Sequence, residues 1–193
     1  MLLYAPTYRD AETDRRQVVP LDIPHVLDVL EATTGARWQC LTRAHYLSPG
    51  LDMAASPRVT DVTRYPEMAE LLRVSDALIT DYSCCAGDFI LRGKPVWLYV
   101  ADIDDYERNS RAFYLNPLST PFRCARTPAG LDALIRGTTP ESARGNCQAV
   151  LDFFGACETG HASEATAKYI CSALRADSEF PVKSRPSHLI PVK

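Results

Sequence analysis

Short apolar runs bounded by turn residues alternate with stretches of helical period along this chain. LLYA at 2–5 predicts a strand that ends at Pro6. From Asp22 to Thr34, Ile23, Val26, Leu27 and Leu30 recur at helical spacing, with Asp22 and Pro24 as start signals. RWQCLT at 37–42 and RVTDV at 58–62 return to strand, and PEMAELLRV at 66–74 predicts a helix with its proline in the first turn. ALIT at 77–80 has the β-rich character of a buried central strand. Residues 84–92 then read as helix closed by Gly93, and PVWLYV at 95–100 as the next parallel strand. DIDDYERN at 102–109 is an acidic turn leading into a short helix. PLSTPFRCART at 117–127 is loop with one short strand, and helices follow at 140–154 and 161–175.

Strands that alternate with helices in this way predict an α/β fold: a doubly wound, Rossmann-like parallel sheet with helices on both faces. A length of 193 residues supports one sizeable core. The expected organisation is one domain over 1–176 and an extended or disordered tail over 177–193, where prolines and mixed charges show no period. Composition adds exclusions. A formal charge of −3, with no basic block interleaved with aromatics, argues against nucleic acid as a partner. No apolar run predicts a transmembrane segment, and MLLYAPTYRD lacks the features of a signal peptide. Seven cysteines without a C-x-x-C pair fit free thiols in a reducing, cytoplasmic setting.

Candidate chemistry collects where strands end, because ligands of open parallel sheets bind outside the carboxyl ends of the strands. Asp81, Tyr82, Ser83 and Cys84 follow the ALIT strand, and a helix starting near Ser83 would aim free backbone N–H groups at an anion. Asp81 or Ser83 capping that helix is an equally good account of the same residues. His161, Ala162 and Ser163 open the last helix after Gly160 and repeat this chemistry; together the two helix starts would form a diphosphate cradle, while Ser163 as a plain cap is the competing account. His45 follows the second strand and could serve as a hydrogen-bond donor, acid or base, or only brace its loop. Thr7 and Arg9 follow the first strand and offer a hydroxyl and a guanidinium for phosphate. The acidic cluster Asp102, Asp104 and Asp105 reads as a solvated helix start before it reads as a cation site. The dinucleotide fingerprint, the Walker loop and the G-x-S-x-G elbow are all absent from the sequence.

APTYRD, His45, ITDYS with its following GKPVWLYVADIDDYERNSRAFY, and TGHASE occur in this order, and together they resemble the CDP-glycerol glycerophosphotransferase family of teichoic acid and capsule polymer synthesis. The likeness covers most of residues 1–175. It implies the C-terminal, donor-binding lobe of a two-domain GT-B enzyme, with His45 catalytic or holding the donor diphosphate. The segments around Asp81-Tyr82-Ser83 and His161-Ala162-Ser163 would then line the donor site. It implies CDP-glycerol or a related CDP-activated donor, a polymer or lipid-linked acceptor bound by an N-terminal domain, no cofactor and no metal. It also implies a cytoplasmic protein, peripheral at the inner face of the cell membrane when full-length. Cys84 departs from the family pattern, which commonly carries a second serine there. Two other readings stay open: a nucleotide-binding module without catalysis, and the donor lobe of a nucleotide-sugar glycosyltransferase.

Overall fold

A computed structural model of the chain describes residues 1–9, 21–45, 56–110 and 112–176. Two compact units divide it, Met1–Ala156 and Cys157–Lys193. The predicted tail over 177–193 lies outside the described residues.

The first unit is built on six strands: β1 (Leu2–Ala5), β2 (Cys40–Thr42), β3 (Val59–Asp61), β4 (Ala77–Thr80), β5 (Val96–Tyr99) and β6 (Cys124–Ala125). Their order across the sheet is β3-β2-β1-β4-β5-β6, with every pairing parallel. Chain order reverses between β1 and β4, which makes the carboxyl end of that pair the topological switch point, where such sheets open a ligand crevice.

Alternation along the strands divides the core into two layers. Leu2, Tyr4, Ala77, Ile79, Trp97 and Tyr99 face one side, packed with α1 (Ile23–Thr34) and α5 (Pro128–Arg136). Leu3, Ala5, Leu78, Val96 and Leu98 face the other, with α2 (Met68–Val74), α3 (Cys85–Ile90) and α6 (Pro140–Phe154). Strands covered on both faces lose their polar alternation, so β1, β4 and β5 appear in the sequence as short continuous apolar runs. The expected doubly wound fold, with helices on both faces, is the one observed. A short helix α4 (Ile103–Asn109) follows β5.

Local structure differs from expectation in several places, beginning with β2, which starts at Cys40 and not at Arg37. Helix α2 begins at Met68 with Glu67 as its N-cap, so Pro66 precedes the helix instead of opening it. Helix α3 runs only from Cys85 to Ile90, later than the start expected near Ser83. Helix α5 had no counterpart in the sequence reading. Its signals were Thr127, whose hydroxyl accepts from the Gly130 N–H, and a proline in the first turn, ahead of buried Leu131 and Ile135.

His25 on α1 and Asp132 on α5 meet at 2.8 Å on the surface. The hydrogen bond and charge of Asp132 raise the His25 pKa above its ordinary value. A raised folded-state value means that this pair's stabilisation is complete below the unfolded value of about 6.5 and is lost as pH rises through the folded one. His25→Gln is therefore expected to flatten the fall in melting temperature over that window, as followed by thermal denaturation at a series of pH values. An unchanged pH dependence in the variant would remove His25 from the account.

Candidate functional site

Segments from three neighbouring strands, β1, β4 and β5, meet at the switch point, and Asp81 is their hub. It is 4% exposed, and both carboxylate oxygens are occupied. Asp81 Oδ1 accepts from the Thr7 N–H at 2.8 Å, the Thr7 hydroxyl at 2.5 Å and the Tyr82 N–H at 2.6 Å. Asp81 Oδ2 accepts from Arg9 Nη2 at 2.9 Å. A buried carboxylate supplied with this many donors and a cation is compensated for the loss of water. Just before it, the Thr80 hydroxyl donates to the Ala5 carbonyl at 2.6 Å, closing β4 against β1.

Arg9 reaches further along the sheet. Its Nη1 donates to the Thr7 carbonyl at 2.7 Å, its Nε to Asp102 Oδ2 at 2.9 Å, and its Nη2 to Asp102 Oδ1 at 3.3 Å. The guanidinium carbon lies 5.0 Å from the Tyr82 ring centroid and 4.7 Å from that of Tyr106. Burial works against the Arg9 charge, but Asp81 and Asp102 outweigh it and raise the pKa further. The Tyr82 hydroxyl donates to Asp102 Oδ1 at 2.8 Å, while its ring stacks on Tyr106 at 4.1 Å and tilts against Phe113 at 5.1 Å. Burial first, and then Asp102, raise the Tyr82 phenol pKa far above its ordinary value.

The structure thus joins Thr7, Arg9, Asp81 and Tyr82, four of the residues singled out in the sequence, into one hydrogen-bonded frame. Their polar groups face one another, so the guanidinium expected to be open to phosphate is engaged by carboxylates here. Ser83 is the next residue along. Its Oγ accepts from the Cys85 N–H at 3.3 Å, and its hydroxyl lies by the Cys85 thiol, where it offsets part of the effect of burial on that thiol. Cys84 is exposed and occupies the N-cap position of α3, without a side-chain cap bond. His45 lies just past the end of β2, the neighbour of β1, with its ring centroid 5.0 Å from that of Tyr8. Asp102 joins the frame through Arg9 and Tyr82, although the sequence alone places it at a helix start. The D-x-D-x-Y turn was the available signal for Asp102.

His161, Ala162 and Ser163 belong to the second unit and are described within it. Helix α7 (Ala162–Ala176) starts one residue after His161, whose carbonyl accepts the Ala165 N–H at 3.0 Å. Ser163 consequently sits inside the first turn and not at the cap. Gly160 has φ +80°, a backbone conformation that favours glycine, and no atom lies within 4 Å of where its Cβ would be. Conformation, and not close approach, accounts for this glycine.

Thiol environments give a direct check on the geometry. Burial pushes Cys40 up to about 12 and Cys124 up to about 11, and it raises Cys85 and Cys147 as well. Cys84, Cys157 and Cys171 are exposed. Alkylation at neutral pH, read by peptide mass spectrometry, is expected to modify these three first. Early modification of Cys85 ahead of Cys84 would contradict the placement of α3. Among the described residues there is no group of acidic, histidine or cysteine side chains able to hold a metal ion, and no helix long and apolar enough to cross a membrane.

Comparison with known proteins agrees with the fold. The chain is 31% identical over 174 residues to the teichoic acid poly(glycerol phosphate) polymerase of Staphylococcus epidermidis, which covers 85% of this chain and 23% of that protein. It is 32% identical over 116 residues to the teichoic acid glycerol-phosphate transferase of Staphylococcus aureus, covering 60% of this chain and 30% of that one. The solved structure of the wall teichoic acid polymerase TagF superposes with a TM-score of 0.66 at 30% identity, over 93% of this chain and 44% of that chain. A histidine-to-asparagine variant of TagF soaked with CDPG gives a TM-score of 0.65. This chain therefore spans less than half the length of these relatives. The sequence pattern of CDP-glycerol:poly(glycerophosphate) glycerophosphotransferases matches residues 1–172, and with that span, this fold and these relatives the chain belongs to that family.

Proposed function

We propose that this domain binds the CDP-activated donor of a glycerophosphotransferase, CDP-glycerol or a closely related polyol phosphate ester, at the carboxyl ends of β1, β2 and β4. The complete enzyme would pass glycerol phosphate to a hydroxyl of a polymer or lipid-linked acceptor, at the inner face of the membrane. The observation that supports the reading is the switch-point frame of Thr7, Arg9, Asp81 and Tyr82, which holds the segment leading into Ser83 at the end of β4. The family, and the CDPG soak of TagF, support a CDP-activated donor.

Within this reading the assigned residues divide in two. Thr7, Arg9, Asp81 and Tyr82 build the wall, because their polar groups are already engaged. Ser83 and His45 would meet the donor, Ser83 through its hydroxyl at the end of β4 and His45 from the adjacent strand end. Cys84 would lie against the donor as an exposed neighbour. In the transfer itself, the acceptor oxygen attacks the β-phosphorus, its proton passes to a base, and CMP departs. His45 would act where charge grows on the phosphoryl oxygens, which favours the transition state over the ground state.

Calorimetric titration with CDP-glycerol, CDP-ribitol and UDP-sugars tests the donor. Saturable binding of a CDP donor is expected, with Ser83→Ala weaker by about 0.5 to 1.5 kcal/mol, or about 3 if the hydroxyl meets a charged oxygen. Preference for a UDP-sugar would overturn the donor assignment. A lowered melting temperature with unchanged affinity in Ser83→Ala would reduce Ser83 to a cap of α3.

A further inference from the structure

Asp102 stands at the N-cap of α4, where an aspartate ordinarily accepts from a backbone N–H of its own helix, yet its side chain makes no such bond. The carboxylate is turned instead to Arg9 and to the Tyr82 hydroxyl. Its neighbour Asp104 behaves as an ordinary surface carboxylate and pairs with Arg126. Asp102 is 18% exposed and Arg9 9%, so their contact is formed largely out of water, where its geometry is well defined.

Tyr82 is held from several directions. Its N–H is fixed by Asp81, its hydroxyl by Asp102, and its ring by Tyr106 and Phe113. Ser83 is its immediate successor, so the place of the Ser83 hydroxyl follows from the place of Tyr82. The same carboxylate also restrains Arg9, which donates to the Thr7 carbonyl on the β1 segment. One side chain from the β5 end thus restrains both the β1 segment and the β4 segment that flank the crevice.

We propose that Asp102 is a positioning residue for donor binding, acting through Tyr82 and Arg9 to hold Ser83 and the Thr7 segment in the arrangement the donor meets. This rests on the donor-binding reading above. Asp102 itself touches no donor, and its effect would be carried by the residues it restrains.

The test uses the full chain with Asp102→Asn, Tyr82→Phe and the double variant. CDP-glycerol affinity is measured by calorimetry, and hydrogen exchange of the Thr7 and Tyr82 amides by NMR. Each single variant is expected to weaken affinity on the order of three- to tenfold, and the double variant no more than the weaker-binding single, because both substitutions break the same link. Exchange of the Tyr82 and Thr7 amides is expected to quicken in Asp102→Asn, on the order of tenfold. Unchanged affinity in both single variants, or losses that multiply in the double, would overturn the proposal even if melting temperatures fall. If the unsubstituted chain binds no CDP-glycerol, the donor reading fails. The exchange arm then decides the coupling alone: quickened amides support it, and unchanged amides overturn it.

Discussion

Arg9→Ala is expected to destabilise the protein by about 3 to 5 kcal/mol, the range for breaking a buried ion pair from one side. The magnitude follows from what remains. Asp81, 4% exposed, and Asp102, 18% exposed, would face each other's charge across the space the guanidinium leaves. Two cation–π contacts would go as well. Removing both members of a pair costs less than removing one, so Arg9→Ala combined with Asp81→Asn should be less destabilising than the sum of the two single changes. Urea denaturation of the single and double variants measures this directly. Losses that simply add, or an Arg9→Ala cost below about 1 kcal/mol, would place Arg9 among surface arginines of little energetic weight.

Residues 1–193 by themselves are expected to bind a CDP donor and yet to form no glycerol-phosphate polymer. Transfer needs the acceptor hydroxyl and the donor phosphorus held together, and that positioning is worth about 7 to 11 kcal/mol of barrier in favourable cases. The site described here is formed by the carboxyl ends of one sheet, in a chain that spans 44% of the TagF chain. Incubation with CDP-glycerol and a glycerol-phosphate primer, followed by electrophoresis of the products, checks the expectation. Polymer formed by this chain alone would show that one sheet suffices for both reactants.

Much of the fold was legible because burial on both faces leaves its mark in composition. LLYA, ALIT and PVWLYV read as strands for the same reason that Leu2, Leu78 and Trp97 are buried. Helix α5 leaves little trace in the sequence because it is short and carries Gly130 in its first turn, which weakens the helical period. At the site, residue types and strand-end placement are legible, and they single out Thr7, Arg9, Asp81 and Tyr82. Their partners could not. The bond from Arg9 to Asp102 joins residues 93 apart, and it forms only because β1, β4 and β5 are neighbours in the sheet. Strand order is a tertiary outcome that no local window contains. For the same reason Asp102 read as a helix start, although its carboxylate belongs to the β1 segment.

The most direct measurement is protection of Cys84. This thiol is exposed and lies next to Ser83, while Cys171 is exposed in the second unit and serves as an internal reference. Alkylation rates are followed by mass spectrometry over a titration with CDP-glycerol. The account predicts that the Cys84 rate falls along a saturating curve whose midpoint matches the calorimetric affinity, with the Cys171 rate unchanged. Calorimetric saturation by CDP-glycerol with no slowing at Cys84 would contradict it, by putting the donor somewhere other than the end of β4.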